Sequence, residues 1–301
     1  MGPQEYTAAR SSPINRLEDF NQHRSLLFAI AYRMLGSVMD AEDMVQETFL
    51  RWQQVSEQTI KSTKAYLTTI ITRLCIDYLR SARIQREQYV GPWLPEPIVI
   101  EKSADPIALA ELSDSLAMAF LVLLERLTPV ERAVFLLREV FDYDYGEIGR
   151  MVEKSPTNCR QIAHRARRHL ALEKSRFQAT PQQQEQLTQR FMQAFSQGDL
   201  PGLLEVLADD VTVWSDGGGK VTAMLKPLHG AQKVAGCLRA LHRRAVKLDC
   251  VPQAELVQVN GQPGIVYSVA GVVDSVATLE IADNRIQSIY FVRNPDKLKR
   301  C

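Results

Sequence analysis

Between Glu147 and Arg176 the chain carries eight basic residues, Arg150, Lys154, Arg160, Arg165, Arg167, Arg168, Lys174 and Arg176, against the acids Glu147, Glu153 and Glu173. The net charge of the whole chain is only +1, so this excess is local. A basic face confined to one segment is the electrostatic footprint of nucleic-acid binding. At helical spacing, Thr157, Arg160, Gln161, His164, Arg165 and Arg168 share one side. Arginine reads guanine edges with two hydrogen bonds, glutamine reads adenine, and the remaining cations hold phosphates. The opposite side, Cys159, Ile162, Ala163, Ala166 and Leu170, is apolar and would pack on Ile148, Met151 and Val152. Two helices over Tyr145–Val152 and Pro156–Leu170, with Glu153-Lys154-Ser155 between them, have the spacing of a helix-turn-helix whose second helix enters the major groove. A solvated basic helix would explain the charge alone. It would not explain the turn length, the small Gly149 and the one-sided pattern together.

Other chemistry is poorly represented. The five cysteines (75, 159, 237, 250 and 301) never form CxxC, and the histidines have no metal spacing. Free thiols in a reducing compartment follow, with no metal, no cofactor and no catalytic residue expected. The Gly217-Gly218-Gly219-Lys220 run lacks the GxxxxGK[ST] spacing of a phosphate loop. No stretch of ~18 apolar residues is present, and the first residues lack the apolar core of a signal peptide. A cytoplasmic protein is expected. With 46% hydrophobic and 24% charged residues, disordered and fibrous classes are excluded.

The elements that must position these residues fall into three parts. From about Leu17 to Arg86 the pattern is helical. Leu27, Ile30, Ala31 and Met34 form one stripe, ended by Gly36. Asp40 is the expected cap of the next helix, whose apolar face is Val45, Phe49 and Trp52. A third helix buries Leu67, Ile70, Ile71, Leu74 and Tyr78. Four prolines over 91–106 then mark an extended linker. A second helical part carries the stripe Leu116, Phe120, Leu123, Leu124 and Leu127. Its helix starts are Thr128-Pro129 with Glu131, Asp144 with Glu147, and Ser155-Pro156. After the joint at 180–186 come helices at about 182–197 and 199–208, a strand-like run after the GGGK, and a helix at 230–246. Alternating strands with Asn-Gly, Gly-Val and Asp-Asn turns follow. Helices followed by antiparallel strands predict an α+β unit.

Residues 40–52 (DAEDMVQETFLRW) and 65–83 (AYLTTIITRLCIDYLRSAR) resemble region 2 of bacterial sigma factors, and the stretch from Leu127 to Leu170 resembles their region 4. With no region 3 between them, about 17–176 is similar to an extracytoplasmic-function (ECF) sigma factor. WLPEP (93–97), DGGGK (216–220) and NPDKL (294–298) further resemble the subgroup with a fused C-terminal SnoaL-like domain. The implied chain is multidomain. A region 2 helical domain (15–88), a Pro-rich linker (89–107) and a region 4 helix-turn-helix domain (108–176) are followed by a cone-shaped α+β SnoaL-like domain (182–301).

The resemblance implies a non-enzymatic subunit with core RNA polymerase and promoter DNA as partners. It assigns Asp40, Asp43, Gln46, Glu47 and Arg51 to core polymerase binding, and an acidic, amide-bearing face suits a basic partner helix. It assigns the loop 56–64 and the next helix to promoter melting and −10 recognition, through Lys64, Tyr66, Thr69, Arg73, Asp77, Arg80 and Arg83, with Arg86 extending the cationic end. Trp52 is a second candidate stacking platform, although its stripe favours the core. The −35 readers would be Ser155, Thr157, Arg160, Gln161, His164, Arg165 and Arg168. Interdomain regulation falls to Asp216, Gly217, Gly218, Gly219 and Lys220 with Asn294, Pro295, Asp296, Lys297 and Leu298, with a possible small-molecule ligand in the SnoaL-like pocket. Some SnoaL-like relatives use Asp and His as acid and base, so Asp210, Asp216, His229 and Asp274 form a candidate set here. An isomerase or cyclase tethered to a DNA-binding module is the enzymatic alternative. A conventional repressor is the other, but it has no use for a polymerase-binding or melting helix.

Overall fold

The computed structural model describes residues 13–55, 60, 62–87, 89–100, 117–171, 179–299 and 301, the side chains of 13–15, 82–87, 100 and 171 excepted. Most of the expected melting loop (56–59 and 61), the side chains of Arg83 and Arg86, the linker beyond Ile100, Leu116, and Lys174 and Arg176 lie outside the described residues.

Three helices open the chain: α1 (Pro13–Leu35), α2 (Val38–Gln53) and α3 (Thr63–Glu87). Gly36 separates the first two at φ +68°, a conformation that favours glycine, and a Cβ there would press on the Trp93 ring. The α2 cap is Ser37 rather than Asp40. The Ser37 hydroxyl accepts the Asp40 N–H, and Asp40 sits in the first turn, where its charge suits the helix dipole. After the linker come α4 (Met118–Leu124), α5 (Pro129–Glu139), α6 (Tyr145–Val152) and α7 (Pro156–Ala171). The capping boxes at Thr128/Glu131 and Asp144/Glu147 are both formed. The two helical parts share one core: Leu67 and Ile71 of α3 belong to the same buried cluster as Ile148 and Met151 of α6.

The α+β domain begins with α8 (Pro181–Gln197) and α9 (Leu200–Val206), then β2 (Leu207–Asp216), β3 (Leu228–His229) and α10 (Ala231–Lys247). Strands β4 (Gln253–Val259), β5 (Gln262–Val269), β6 (Val272–Ala282) and β7 (Arg285–Val292) complete it. Asp209 and Asp210 lie in a strand, and 221–227, expected to be strand-like, is loop. The sheet is mixed, because β2 and β7 run parallel while the other pairs are antiparallel. Its order is β1-β4-β5-β6-β7-β2-β3, where β1 (Val99–Ile100) is supplied by the linker.

Both faces of this sheet are covered, and the period of two sorts them. Ile265, Tyr267, Ala277, Ile289 and Phe291 face α8–α10. Their neighbours Val266, Val276, Tyr290 and Val292 face Leu94 of the linker and Met118 and Ala119 of α4. Register shifts at 267/268 in β5 and 280/281 in β6 curve the sheet around the helices. Helical parts followed by an α+β domain are the architecture that the resemblance implies.

Candidate nucleic-acid interface and interdomain contact

Helix α7 presents the expected dual surface. Cys159, Ile162, Ala163, Ala166 and Leu170 are buried, while Thr157, Arg160, Gln161, His164, Arg165 and Arg168 are exposed. Ser155 is exposed at the helix start, and its hydroxyl accepts the Asn158 N–H. The turn needs no glycine. Glu153 itself takes the left-handed conformation, φ +56°, and its N–H partner in capping is the Gly149 carbonyl. Gly149 is required for another reason: a Cβ there would lie 2.6 Å from the Lys154 carbonyl oxygen. Arg160 stacks over the Tyr145 ring at 5.4 Å, and Arg167 pairs with Glu139 at 2.6 Å. Arg167 is thus tied to the scaffold, while Gln161, His164, Arg165 and Arg168 around it are exposed.

The α3 residues are divided between solvent and protein. Lys64 is exposed, with its ammonium over the Tyr143 ring, and Arg80 pairs with Asp77 at 3.1 Å. Tyr66 is half-buried beside the buried Trp52, whose indole N–H donates to the Arg16 carbonyl. The Thr69 hydroxyl donates to the Ala65 carbonyl. Arg73 points at α6: its guanidinium donates to the carbonyls of Met151 (2.9 Å) and Arg150 (2.8 Å) and pairs with Glu153 at 3.0 Å. A cation is favoured there, since the last carbonyls of a helix carry partial negative charge. The Thr68 and Tyr143 hydroxyls meet 3.0 Å apart beside it. In this conformation the two helical parts are closed on one another, and Arg73 is occupied.

On α2, Asp43, Gln46 and Arg51 are exposed, Asp40 and Glu47 half-buried, and Arg51 pairs with Glu47. Met39 and Leu50, both more than half exposed, flank these polar residues. The sequence gives no hint that they are solvent-facing, because each sits beside a residue of the buried stripe.

The three short motifs meet at one point. Asp216 is completely buried at the end of β2. Its carboxylate accepts from the Tyr89 hydroxyl (2.6 Å), the Gly218 N–H (3.0 Å), the Leu94 N–H (2.9 Å) and the Lys297 ammonium (2.7 Å). Lys297 also donates to the Leu94 carbonyl and lies 4.1 Å from the centre of the Trp93 ring. Gly218, at φ +59°, lies so close to Asn294 that a Cβ would collide with its side-chain amide. Lys220 pairs with Asp296. Asn294 in turn donates to the Tyr89 hydroxyl, Pro295 opens the short turn that carries Lys297, and Leu298 is buried against the outer sheet face. A Cβ at Gly219 would come within 3.2 Å of the Val90 side chain, and one at Gly217 within 2.6 Å of the Val221 carbonyl oxygen. Burial, and next the hydrogen bond to Asp216, push the Tyr89 phenol well above its ordinary pKa, so it stays a donor.

The linker carries this contact onward. Glu96 is buried, and its carboxylate accepts the Val38 N–H at 2.7 Å at the start of α2. The Tyr32 hydroxyl donates to the Glu96 carbonyl, and Asn260 holds both Tyr32 and the Ile98 N–H. Residues Tyr89, Glu96, Tyr32 and Asn260 were missed by sequence reasoning. Asn260-Gly261 reads only as a turn signal, which it also is.

The acid/base set does not assemble. Asp210 is exposed, Asp216 is consumed by the linker contact, and His229 meets Thr212 at the exposed sheet edge. Asp274 alone lines the domain's internal cavity, where it is bound by Arg293. Among the described residues no group of His, Cys, Asp and Glu could hold a metal, and no helix is long and apolar enough to cross a membrane.

Fold and faces together define a helix-turn-helix protein with a second helical unit packed on it and a fused α+β domain clamped onto the linker. The sequence matches Sigma-70 region 2 over residues 20–84 and Sigma-70 region 4 over 117–170. It is 32% identical to the ECF RNA polymerase sigma factor SigJ of Mycobacterium tuberculosis, over 93% of this chain and 92% of the relative. It is 34% identical to the probable ECF RNA polymerase sigma factor SigI of the same species, over 92% of each. The crystal structure of M. tuberculosis SigJ superposes with a TM-score of 0.76 at 30% identity, covering 93% of this chain and 97% of that one. The chain belongs to the ECF RNA polymerase sigma factors.

Proposed function

We propose that the protein recruits core RNA polymerase through α2 and reads promoter DNA through α7 and α3. In this reading Asp40, Asp43, Gln46, Glu47 and Arg51 meet the polymerase. Arg160, Gln161, His164 and Arg165 read −35 bases while Ser155, Thr157 and Arg168 hold phosphates. Lys64, Tyr66, Thr69, Arg73, Asp77, Arg80 and Arg83 serve the −10 element and strand separation, where a cationic surface and a stacking ring suit an unpaired base. The work would take place in the cytoplasm.

The observation that carries the regulatory part is Arg73. α6 holds the residue that this reading gives to the −10 element, so in this reading promoter engagement requires the two helical parts to separate. The α+β domain biases that step through the DGGGK and NPDKL segments, which grip the linker joining the two parts. A molecule bound in the cavity of that domain would shift the balance only by binding the two states unequally. The test is transcription with core polymerase by the intact protein and by Lys297→Met. Loss of Lys297 leaves Asp216 buried with one fewer donor, and breaking a buried pair costs about 3–5 kcal/mol. A several-fold change in promoter output is expected, and equal output would remove the regulatory role.

A further inference from the structure

Of the ten large apolar side chains that stand exposed among the described residues, four gather at one end of the α+β domain. They are Leu241, Leu248, Val251 and Val272, each between 45% and 70% exposed. Leu241, Leu248 and Val251 rim the mouth of the domain's cavity, and Val272 opens β6 in register with Val269 of the same rim. Three separate pieces of chain thus bring aliphatic groups to one opening: the end of α10, the segment after it and the β5–β6 turn. Single exposed aliphatics are ordinary on a protein surface, whereas a contiguous patch marks an interaction site.

The same end is cationic. Helix α10 holds Lys233, Arg239, Arg243, Arg244 and Lys247 and no acid, and Asp249 is the one acid between Ala231 and Cys250. Lys233, Arg243, Arg244 and Lys247 are exposed, and among the described residues none of the four has an ion-pair partner. The helix dipole accounts for cations in the last turn but disfavours Lys233 in the first, so capping does not explain the run. Leu241, Arg244 and Leu248 recur at i, i+3 and i+7, which puts aliphatic and cationic groups on one side of the helix.

We propose that this end of the α+β domain docks on an anionic lipid bilayer. The aliphatic tips enter the boundary between headgroups and acyl chains. The arginine and lysine stems lie along it and keep their charges among the lipid phosphates. Nucleic acid would reward the cations but gains nothing from four aliphatic tips. A second copy of the chain would set like charges against one another. Helix α10 packs on the sheet face opposite to the one that the linker and α4 cover, so docking leaves the linker contact in place. The proposal goes beyond the transcriptional reading and stands apart from it, because vesicle binding needs neither polymerase nor promoter.

The experiment is co-sedimentation of the full chain with vesicles of phosphatidylcholine alone and of equimolar phosphatidylcholine and phosphatidylglycerol. Binding to the anionic vesicles is expected to be at least about tenfold tighter, and to weaken as salt rises. Arg243→Ser with Lys247→Ser should lower it about thirtyfold, since each cation near an anionic leaflet is worth about fivefold. Leu248→Ser with Val272→Ser should lower it about tenfold while binding to non-specific duplex DNA is unchanged. All four substitutions fall at exposed positions, so each variant should melt with the parent. The proposal is overturned if neither vesicle binds, or if the neutral vesicle binds as tightly as the anionic one. It is equally overturned if the aliphatic variant binds vesicles like the parent, which would leave the contact to any basic surface of the chain. An equal loss of duplex binding in that variant would assign the surface to nucleic acid, and a parent dimer that the variant dissolves would assign it to a second copy.

Discussion

Asp216 shows how one residue can be visible in a sequence while its job is not. The DGGGK motif marks it, and its glycines announce a close backbone approach. That the approach is to Asn294 and to linker residues 89–94 depends on contacts spanning up to 127 positions, which no local pattern encodes. Arg73 is similar. Its helical spacing with Thr69 and Asp77 is legible, yet its partners are backbone carbonyls of Arg150 and Met151, and carbonyls have no signature in side-chain chemistry. Two predictions belong to this scale. Glu153→Lys would set a cation against Arg73 and give the last α6 carbonyls a competing cation, favouring separation of the helical parts. Promoter output at limiting protein should rise, by about fivefold for the ~1 kcal/mol of a lost partly exposed pair with its repulsion; unchanged output would show that closure does not limit initiation. Asp144 offers a pH test. Its carboxylate, held by the amides of Glu147 and Gly146, has a pKa below the ordinary aspartate value. Its contribution is therefore complete above that ordinary value and is lost only as pH falls through the depressed one. The Gly146 and Glu147 amide resonances should follow with a midpoint below that of a free aspartate, and a midpoint at or above it would contradict the capping geometry.

Among the elements, the helix-turn-helix was the most legible. Capping residues, a turn of fixed length and a 3.6-residue period all point the same way, and α6 and α7 form with the expected inner and outer faces. The α2 start was misread because Ser37 and Asp40 both suit a cap, and only the path of the chain after Gly36 chooses between them. Strands β5 to β7 carry apolar residues on both faces, so their alternation is blurred. The reason is that α4 and the linker cover the outer face. The parallel pairing of β2 with β7 was also hidden, since it joins strands about 75 residues apart. For α7 the predicted outcomes separate by role. Arg160→Ala should cost about 1–3 kcal/mol at the preferred sequence and relax discrimination at one base position. Arg168→Ala should weaken all sequences uniformly and lower the salt slope by about one. Quantitative binding over a promoter library at several salt concentrations checks both, and identical profiles for the two variants would refute the division of labour.

At the scale of the whole molecule, three buried clusters replace the three independent domains that the linker composition suggests. One joins both helical parts, one fills the inside of the α+β domain, and the third is built from the outer sheet face, α4 and the linker. The linker is thus a structural element shared by all parts. Glu96 reaches the start of α2, β1 extends the sheet, and Leu94 lies between Asp216 and Lys297. Prolines foretell an extended chain but not what it will lie against. The account rests on one claim: that this chain directs polymerase to promoters and that its closed form must open to do so. The most direct measurement is run-off transcription with purified core polymerase on fragmented genomic template, with start sites mapped, using the intact protein and Glu153→Lys. New starts sharing a −35 and −10 pair, more abundant with the variant, are the predicted result. No starts with either protein, and no binding to core polymerase, would contradict it.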